Sequence, residues 1–211
     1  MKNGRQASFK DIAEVFTGPP TPSSRVRTVL RENGAIPVRL MTVAAIGDSR
    51  MLTAGIRAGF AESEAAVRDY RVAAGDILLA ARSTLIRCAM ASTAEQDCII
   101  TSSVVCVRCN PEMLAPRLLM AYLEHPAGQA ALLAASQSTT EQYSLTVKAV
   151  KALVVPVPPI EVQRRMVALL EAVDAQRAAA EESVRIRYQT ALHIAVGSMV
   201  QDANGEGGTS R

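Results

Sequence analysis

The most constraining feature of this 211-residue chain is a long segment near its C-terminus that no helix-breaking residue interrupts. Residues 161–196 contain neither proline nor glycine, the residues that most disfavour a helix interior. As a single helix the segment would be about 54 Å long. A domain formed by the rest of the chain is too small to cover a helix of that length, so we expect the helix to need a partner helix.

Apolar residues recur along this segment in steps of four and three, the spacing of a coiled-coil seam. Arg177 and several alanines weaken the seam. An alternative is that the helix folds back on its own domain. We predict that a dimerisation surface is formed by Met166, Leu170, Val173, Ala180 and Val184.

The residues before this helix predict many short strands without regular alternation of strand and helix. Apolar and β-branched runs predict strands within 36–46, 77–81 and 98–108, and residues 9–16 form a short amphipathic element. The fold class we predict is therefore α+β, with a globular mixed α/β domain followed by a long C-terminal coiled-coil helix.

Two helices and a polar segment follow these strands. Pro116 and Pro126 suit the first positions of helices that extend to residues 125 and 135. Residues 136–142 offer no apolar side chain for burial and predict a loop. Such a loop is either a contact for phosphates and base edges or a solvated connector.

Positive charge is concentrated in the first half of the chain. Residues 1–110 carry 14 basic and 10 acidic side chains, residues 111–160 carry 3 of each, and residues 161–211 carry 6 basic and 7 acidic ones. A polyanion would therefore bind the first half. Of the 23 basic residues 19 are arginine, which suits contacts with phosphate and guanine, although a GC-rich genome would produce the same bias.

The sequence carries no catalytic motif that we recognise: it lacks a Walker loop, a Gly-x-Gly-x-x-Gly and an Asn/Asp-Pro-Pro-Tyr. His125 and His193 lie in separate predicted helices and are expected to be surface or capping residues. Cys106 and Cys109 have the spacing of half a zinc site, but an odd offset on a strand directs the thiols to opposite faces. We expect buried thiols and no bound metal. The absence of a long apolar run and of a secretory signal predicts a cytoplasmic protein.

Several segments, taken in order, resemble one half of a DNA specificity (S) subunit of type I restriction–modification systems. Residues 9–18 (FKDIAEVFTG) with Thr21-Pro22 are similar to the start of its target recognition domain, and residues 34–39 (GAIPVR) to its next strand. Residues 70–82 resemble its "GDIL…R" signature, residues 116–123 a helix that precedes a polar loop, and residues 155–163 (VPVPPIEVQ) the "iPlPPleeQ" start of its spacer helix. Two features depart from the family: Ser83-Thr84-Leu85-Ile86 replaces a Gly-rich continuation, and only one recognition domain and one helix are present.

The resemblance implies a non-catalytic subunit without a cofactor of its own. Residues 1–158 would be the DNA-binding target recognition domain, residues 159–197 the spacer and dimerisation helix, and residues 198–211 a disordered tail. Two copies would pair their helices antiparallel, read a bipartite and palindromic site in double-stranded DNA, and position DNA adenine methyltransferase subunits that use S-adenosylmethionine, with or without a restriction subunit.

Candidate DNA contacts are polar or basic residues in or beside predicted loops, most of them in the positive half: Arg25, Arg27, Arg39, Arg50, Arg57, Arg82, Ser83, Ser138, Thr139, Thr140, Gln142 and Lys148. A second interpretation is an S-like adaptor of another defence assembly, or an inhibitor of a full-length S subunit, that does not read DNA itself. An enzyme with an unrecognised site is a third.

Overall fold

The computed structural model describes residues 5–19, 26–27, 35–47, 55–84, 86–138 and 142–205, which divide into two compact units, Met1–Val167 and Ala168–Arg211. The strands are β1 (Arg5–Ser8), β2 (Ala13–Thr17), β3 (Val26–Arg27), β4 (Ile36–Met41), β5 (Ile56–Ala61), β6 (Ile77–Ala80), β7 (Arg82–Ser83), β8 (Cys88–Met90), β9 (Ile99–Ile100), β10 (Val104–Cys109), β11 (Gln137–Ser138), β12 (Tyr143–Ser144) and β13 (Val154–Val157). The helices are α1 (Phe9–Ile12), α2 (Glu64–Val67), α3 (Pro116–Glu124), α4 (Pro126–Ala135), α5 (Val147–Ala152) and α6 (Ile160–Gly205).

The first unit is built around an antiparallel sheet with strand order β2-β10-β6-β8. Alternate side chains of β10 enter two different apolar clusters: Val105, Val107 and Cys109 enter one, and Val104 and Cys106 the other. Both faces of the sheet are therefore covered, which is why its central strands are continuous apolar runs rather than alternating ones.

Three further sheets belong to this unit. Strands β3-β5-β4-β9 form a mixed sheet in which β4 pairs antiparallel with β5 and parallel with β9. Strands β11-β12-β7 form a short antiparallel sheet, and β1 pairs with β13 just before α6 begins.

Two glycines are fixed by backbone geometry. Gly75, which precedes β6, has a φ of 89°, a conformation that disfavours other residues. A Cβ at Gly18 would lie 1.7 Å from the carbonyl oxygen of Ile100, so only glycine fits there. Both positions belong to the motifs 9–18 and 70–82, and both are explained by the fold alone.

The aspartate of the Gly-Asp-Ile-Leu motif is also structural. Asp76 is 2% exposed and accepts hydrogen bonds from the Ala73 N–H at 2.8 Å and from Arg108 at 2.9 Å (Nε) and 2.8 Å (Nη2). Arg108 also donates to the Arg71 carbonyl and stacks over Phe16, with 5.2 Å from its Cζ to the ring centroid. Hydrogen bonding to Asp76 raises the pKa of Arg108.

The fold differs from the predicted elements at four places in this unit. The predicted strand 36–46 ends at Met41, and Val43–Ala45 form a 3-10 helix. Residues 9–16 are not one element, because α1 ends at Ile12 and β2 begins at Ala13. The predicted strand 98–108 is two strands, β9 and β10, separated by a turn. The predicted loop 136–142 contains β11, whose residues pair with β12.

The second unit, Ala168–Arg211, contains most of the long helix. Helix α6 starts at Ile160, one residue before the predicted segment, and continues to Gly205, through residues 198–205 that the prediction assigned to the tail. Residues 206–211 lie outside the described part of the chain. Among the seam residues Val173 and Val184 are 54% and 66% exposed, and the Met166 side chain, just before this unit, is 41% exposed.

Candidate nucleic-acid interface

The sheet β11-β12-β7 brings two predicted DNA-contact segments together. Ser83 pairs with Tyr143, and Tyr143 pairs with Ser138, so the residues after the "GDIL" strand and the polar segment become neighbours. Arg82 pairs with Ser144, which in turn pairs with Gln137. Directly paired residues share one face of a sheet, so Arg82, Ser144 and Gln137 form a polar row.

Backbone bonds attach this sheet to the buried core. The Leu145 N–H donates to the Ala81 carbonyl at 2.8 Å, and the Ala81 N–H donates to the Ser103 carbonyl at 2.9 Å. Leu145 and Ala81 are 4% and 6% exposed. Arg82 and Gln137, by contrast, are exposed, so a rigid base presents a polar surface to solvent.

Gln137, Tyr143 and Ser144 were missed as site candidates. Gln137 lies within the polar segment that the sequence singled out, so its composition gave a usable signal. Tyr143 and Ser144 gave none, since their position depends on pairing with a strand 60 residues earlier in the chain.

The structure does not bring Arg39 and Arg57 together. Arg39 pairs with Ala58, whereas Arg57 pairs with Leu40, which places the two arginines on opposite faces of the β4–β5 ladder. Arg39 Nη2 donates to the carbonyls of Ala94 and Gln96 at 3.0 and 2.8 Å, an internal role that fixes a neighbouring turn.

The other candidates are distributed as follows. Lys148 lies on α5 and Gln142 directly before β12, and both are exposed. The backbone of Arg27 belongs to β3 and pairs with Phe60, and that of Ser138 belongs to β11. Four candidates lie outside the described residues: Arg25, Arg50, Thr139 and Thr140.

A buried glutamine fixes the start of α6. Gln163 is 2% exposed, its Nε2 donates to the carbonyls of Met113 and Pro158 at 2.9 Å each, and its Oε1 accepts from the Ala115 N–H at 2.9 Å. The final residue of the "iPlPPleeQ" motif therefore ties three backbone groups together.

One histidine caps a helix, another is exposed, and the two closely spaced cysteines are buried. His125 caps α4, with its Nδ1 accepting from the Ala127 N–H at 3.2 Å, and His193 is exposed on α6. Cys106 and Cys109 are buried on opposite faces of the central sheet, as predicted. Burial raises the pKa of both thiols, that of Cys109 to about 12.

Among the described residues, the structure contains no helix with an apolar stretch that could span a bilayer.

A mixed α/β unit with an exposed polar sheet, followed by a long helix with an exposed apolar stripe, defines a modular recognition protein. The chain belongs to the family of type I restriction modification DNA specificity domains, whose model matches residues 6–186. This confirms the resemblance seen in the sequence. Members of the family are non-catalytic DNA-recognition subunits, which agrees with the prediction that the chain is not an enzyme.

Solved structures show the same fold at low sequence identity. A chain from a structure describing complex assembly and conformational transition of a type I R-M system is 22% identical, with a TM-score of 0.60 over 87% of this chain and 41% of that chain. The HsdS subunit from Thermoanaerobacter tengcongensis is 20% identical, with a TM-score of 0.58 over 87% and 40% of the two chains.

A third similar structure is the type I restriction–modification S subunit from M. genitalium, which is 12% identical with a TM-score of 0.52 over 82% of this chain and 39% of that chain. The present chain thus spans about two fifths of the length of the structures it matches. These matches confirm the predicted fold class of a mixed α/β domain followed by a long helix. No curated protein sequence matches the chain.

Proposed function

We propose that residues 1–158 are a target recognition domain that binds one part of a split site in double-stranded DNA. The observation that carries this proposal is the sheet β11-β12-β7, which joins Arg82 and Ser83 to the polar segment after α4. Arginine and glutamine side chains on one row match the donors and acceptors of base edges and phosphates. The net charge of +4 on residues 1–110 favours DNA binding by this unit.

Selection from random DNA tests this proposal. The purified chain, alone and with DNA adenine methyltransferase subunits, should enrich one sequence. If Arg82 reads a base, Arg82→Ala should relax selection at one position at a cost of about 1–3 kcal/mol; if Arg82 contacts a phosphate, binding should weaken for all sequences alike. Arg185→Ala, the same charge change on α6, is the matched control.

Alanine variants of three polar residues of this unit can contradict the DNA assignment. If Arg82→Ala, Gln137→Ala and Arg57→Ala all left DNA affinity and its salt dependence unchanged, this unit would not be the DNA-binding part. If a complex containing this chain selects a sequence, and the same sequence is selected after this chain is replaced by another, then this chain does not read the DNA. That result would favour the adaptor interpretation.

We further propose that residues 159–197 pair antiparallel with the same helix of a second copy. The five predicted seam residues lie along one side of α6, and Met166, Val173 and Val184 have 41%, 54% and 66% of their surface exposed. A second copy of the helix would bury this stripe by the knobs-into-holes packing of coiled coils. The two-fold symmetry of such a dimer would be matched by an inverted repeat in the DNA.

Light scattering tests the dimer. The wild-type chain should have twice the monomer mass, and Leu170→Asp combined with Val173→Asp should give monomers because two charges would enter the seam. Ile186→Asp serves as the control, since Ile186 is 52% exposed and lies on the opposite side of α6. A wild-type mass equal to one chain would refute the dimer.

The positioning of methyltransferase subunits, with or without a restriction subunit, is the remaining part of the proposal. It rests on the family to which the chain belongs and on the surface of α6 that a partner helix would leave uncovered. Copurification with methyltransferase subunits, retained by Arg82→Ala and lost on deletion of residues 168–205, would support it. Equal retention by both variants would place the contact elsewhere.

A further inference from the structure

We infer that Arg177 sets the register of the paired helices by forming an ion pair with Glu181 of a second copy, about a two-fold axis between Ala178 and Ala179. This inference rests on the proposed dimer and goes beyond it, since an apolar stripe of alanines and valines permits several registers.

Arg177 is a charged residue within the seam, and its contact in the single chain is long. Its Nε lies 3.8 Å from Oε1 of Glu181 in the same chain, and the two side chains are 60% and 71% exposed. On another side of the helix, Arg185 approaches Glu182 to 2.6 Å in a bidentate hydrogen bond. The guanidinium of Arg177 is thus held more loosely than that of Arg185.

A second helix packed on the seam would remove water from Arg177. A guanidinium taken from water is unfavourable unless a carboxylate pairs with it. Polar residues at single seam positions select one register of a coiled coil for this reason. Within one chain the carboxylate of Glu181 lies 3.8 Å from Arg177, so a closer carboxylate from the second helix would stabilise the buried guanidinium.

In an antiparallel pair of helices with two-fold symmetry, one step forward along the first helix corresponds to one step back along the second. The residue numbers of two residues that lie level with each other therefore always add up to the same total. An axis between Ala178 and Ala179 places Val173 level with Val184 of the second copy, on both sides of the axis. It places Arg177 level with Ala180, whose small side chain leaves room for the arginine. Glu181 of the second copy, one residue further, is then within reach of the guanidinium.

The neighbouring registers are less favourable. Sliding one helix by a heptad in one direction sets Arg177 level with Val173 of the second copy, which is larger than Ala180. In that register Asp174 of the second copy would lie near Arg177, but it would also lie near Asp174 of the first copy. Sliding it in the other direction sets Arg177 level with Arg187. Like charges brought together across a helix pair weaken it. The register about Ala178 and Ala179 avoids both arrangements.

Charge reversal in separate chains tests the ion pair. Arg177→Glu alone and Glu181→Arg alone should each weaken the homodimer at least about tenfold, because each creates two like-charge contacts. An equimolar mixture of the two variants should form heterodimers as stable as the wild-type dimer, since both contacts become opposite again. Arg185→Glu, mixed in the same way with Glu182→Arg, should show no preference for heterodimers.

Disulfide cross-linking then measures the register directly. A Val184→Cys chain is mixed with Val173→Cys, Met166→Cys or Ala180→Cys chains, one for each of the three registers. Dominant cross-linking with Val173→Cys is expected, and the four native cysteines do not compete because they are buried. Dominant cross-linking of either other pair, or no heterodimer preference in the mixture, would overturn the register while leaving the dimer intact. A monomeric wild-type chain would overturn the proposed dimer itself.

Discussion

At the scale of single residues, the Asp76–Arg108 pair explains why the "GDIL" motif precedes the polar sheet. Asp76 fixes the turn before β6 through the Ala73 N–H, and it holds Arg108 on the adjacent strand β10. Strand β6 ends at Ala80, and Arg82 lies two residues after that end. The Asp76–Arg108 ion pair thus holds the strand that leads to Arg82, an exposed arginine of the proposed interface.

Asp76→Ala should lower the free energy of unfolding by about 3 kcal/mol, because it leaves a partly buried guanidinium and a backbone N–H without their carboxylate. This free-energy change is at the low end for a buried ion pair, because the Arg108 side chain is still 36% exposed. Urea denaturation measures the change. Asp69→Ala is the control, as its side chain is 83% exposed and lies 3.8 Å from Arg68. Equal effects of the two variants would contradict a structural role for Asp76.

The buried thiol of Cys109 should make the stability of the fold depend on pH in the alkaline range. Burial raises the pKa of Cys109 to about 12 from an ordinary value of 9.0. Above pH 9 the unfolded chain loses this proton while the folded chain keeps it, so unfolding becomes more favourable as pH rises towards 12. Below pH 9 the contribution is fully present. The free energy of unfolding in urea should fall as pH rises from about 9 towards about 12, the unfolded and folded pKa values of Cys109.

Cys109→Ala provides the control for this effect. The variant is expected to be less stable at neutral pH, because it leaves a cavity, but to lose less stability with rising pH than the wild type. A pH dependence identical to that of the wild-type chain would show that ionisation of Cys109 is not linked to unfolding.

At the scale of elements, the start of α6 depends on one side chain. Gln163 bonds the Met113 and Pro158 carbonyls and the Ala115 N–H, so it joins the first turn of α6 to the segment before α3. Gln163→Met keeps the volume but removes these bonds, and should cost about 3 kcal/mol of unfolding free energy because three partly buried backbone groups lose a partner. Thermal and urea unfolding of the first unit measure it.

Gln176→Met is the matched substitution, since Gln176 is exposed on the same helix. It should change the unfolding free energy by less than about 0.5 kcal/mol. If Gln163→Met were equally mild, the glutamine of the "iPlPPleeQ" motif would not act as a structural tie, and its place in the motif would need another reason.

Elements with strong local signals could be predicted from the sequence. Pro116 and Pro126 do begin helices α3 and α4, because a missing N–H is tolerated at the first helical position. The strand at 77–81 was evident because every side chain is apolar. Strands β11 and β12 could not be predicted, since each has two residues that are ordered by pairing across a long sequence separation.

The same distinction holds for the proposed site. Arg82 was found because it follows a recognisable motif, whereas Tyr143 and Ser144 became candidates only when the strand register was known. Arg39 was selected for its charge, but its guanidinium bonds two carbonyls of a turn that its position in the sequence does not reveal. Composition identifies a polar residue, and tertiary contacts decide whether that residue is available to a ligand.

At the scale of the whole molecule, charge and apolar surface are separated along the chain. Residues 1–110 carry a net +4, and residues 161–211 a net −1 with the exposed apolar stripe. In the proposed dimer, DNA contacts would thus come from two recognition domains, while the helices contribute few phosphate contacts. Each phosphate neutralised by Lys or Arg adds roughly 0.9 to the slope of log affinity against log salt.

The proposed dimer should therefore show about twice the salt slope of its monomeric variant on a DNA with an inverted repeat. The comparison is between the wild-type chain and Leu170→Asp with Val173→Asp, measured by fluorescence anisotropy over a range of salt concentrations. With the gap between half-sites varied, wild-type affinity should peak at one length, since paired helices fix the separation of the two domains. The monomeric variant should show no preferred gap. Equal slopes, or a wild-type affinity independent of the gap, would mean that the two copies do not bind one DNA site together.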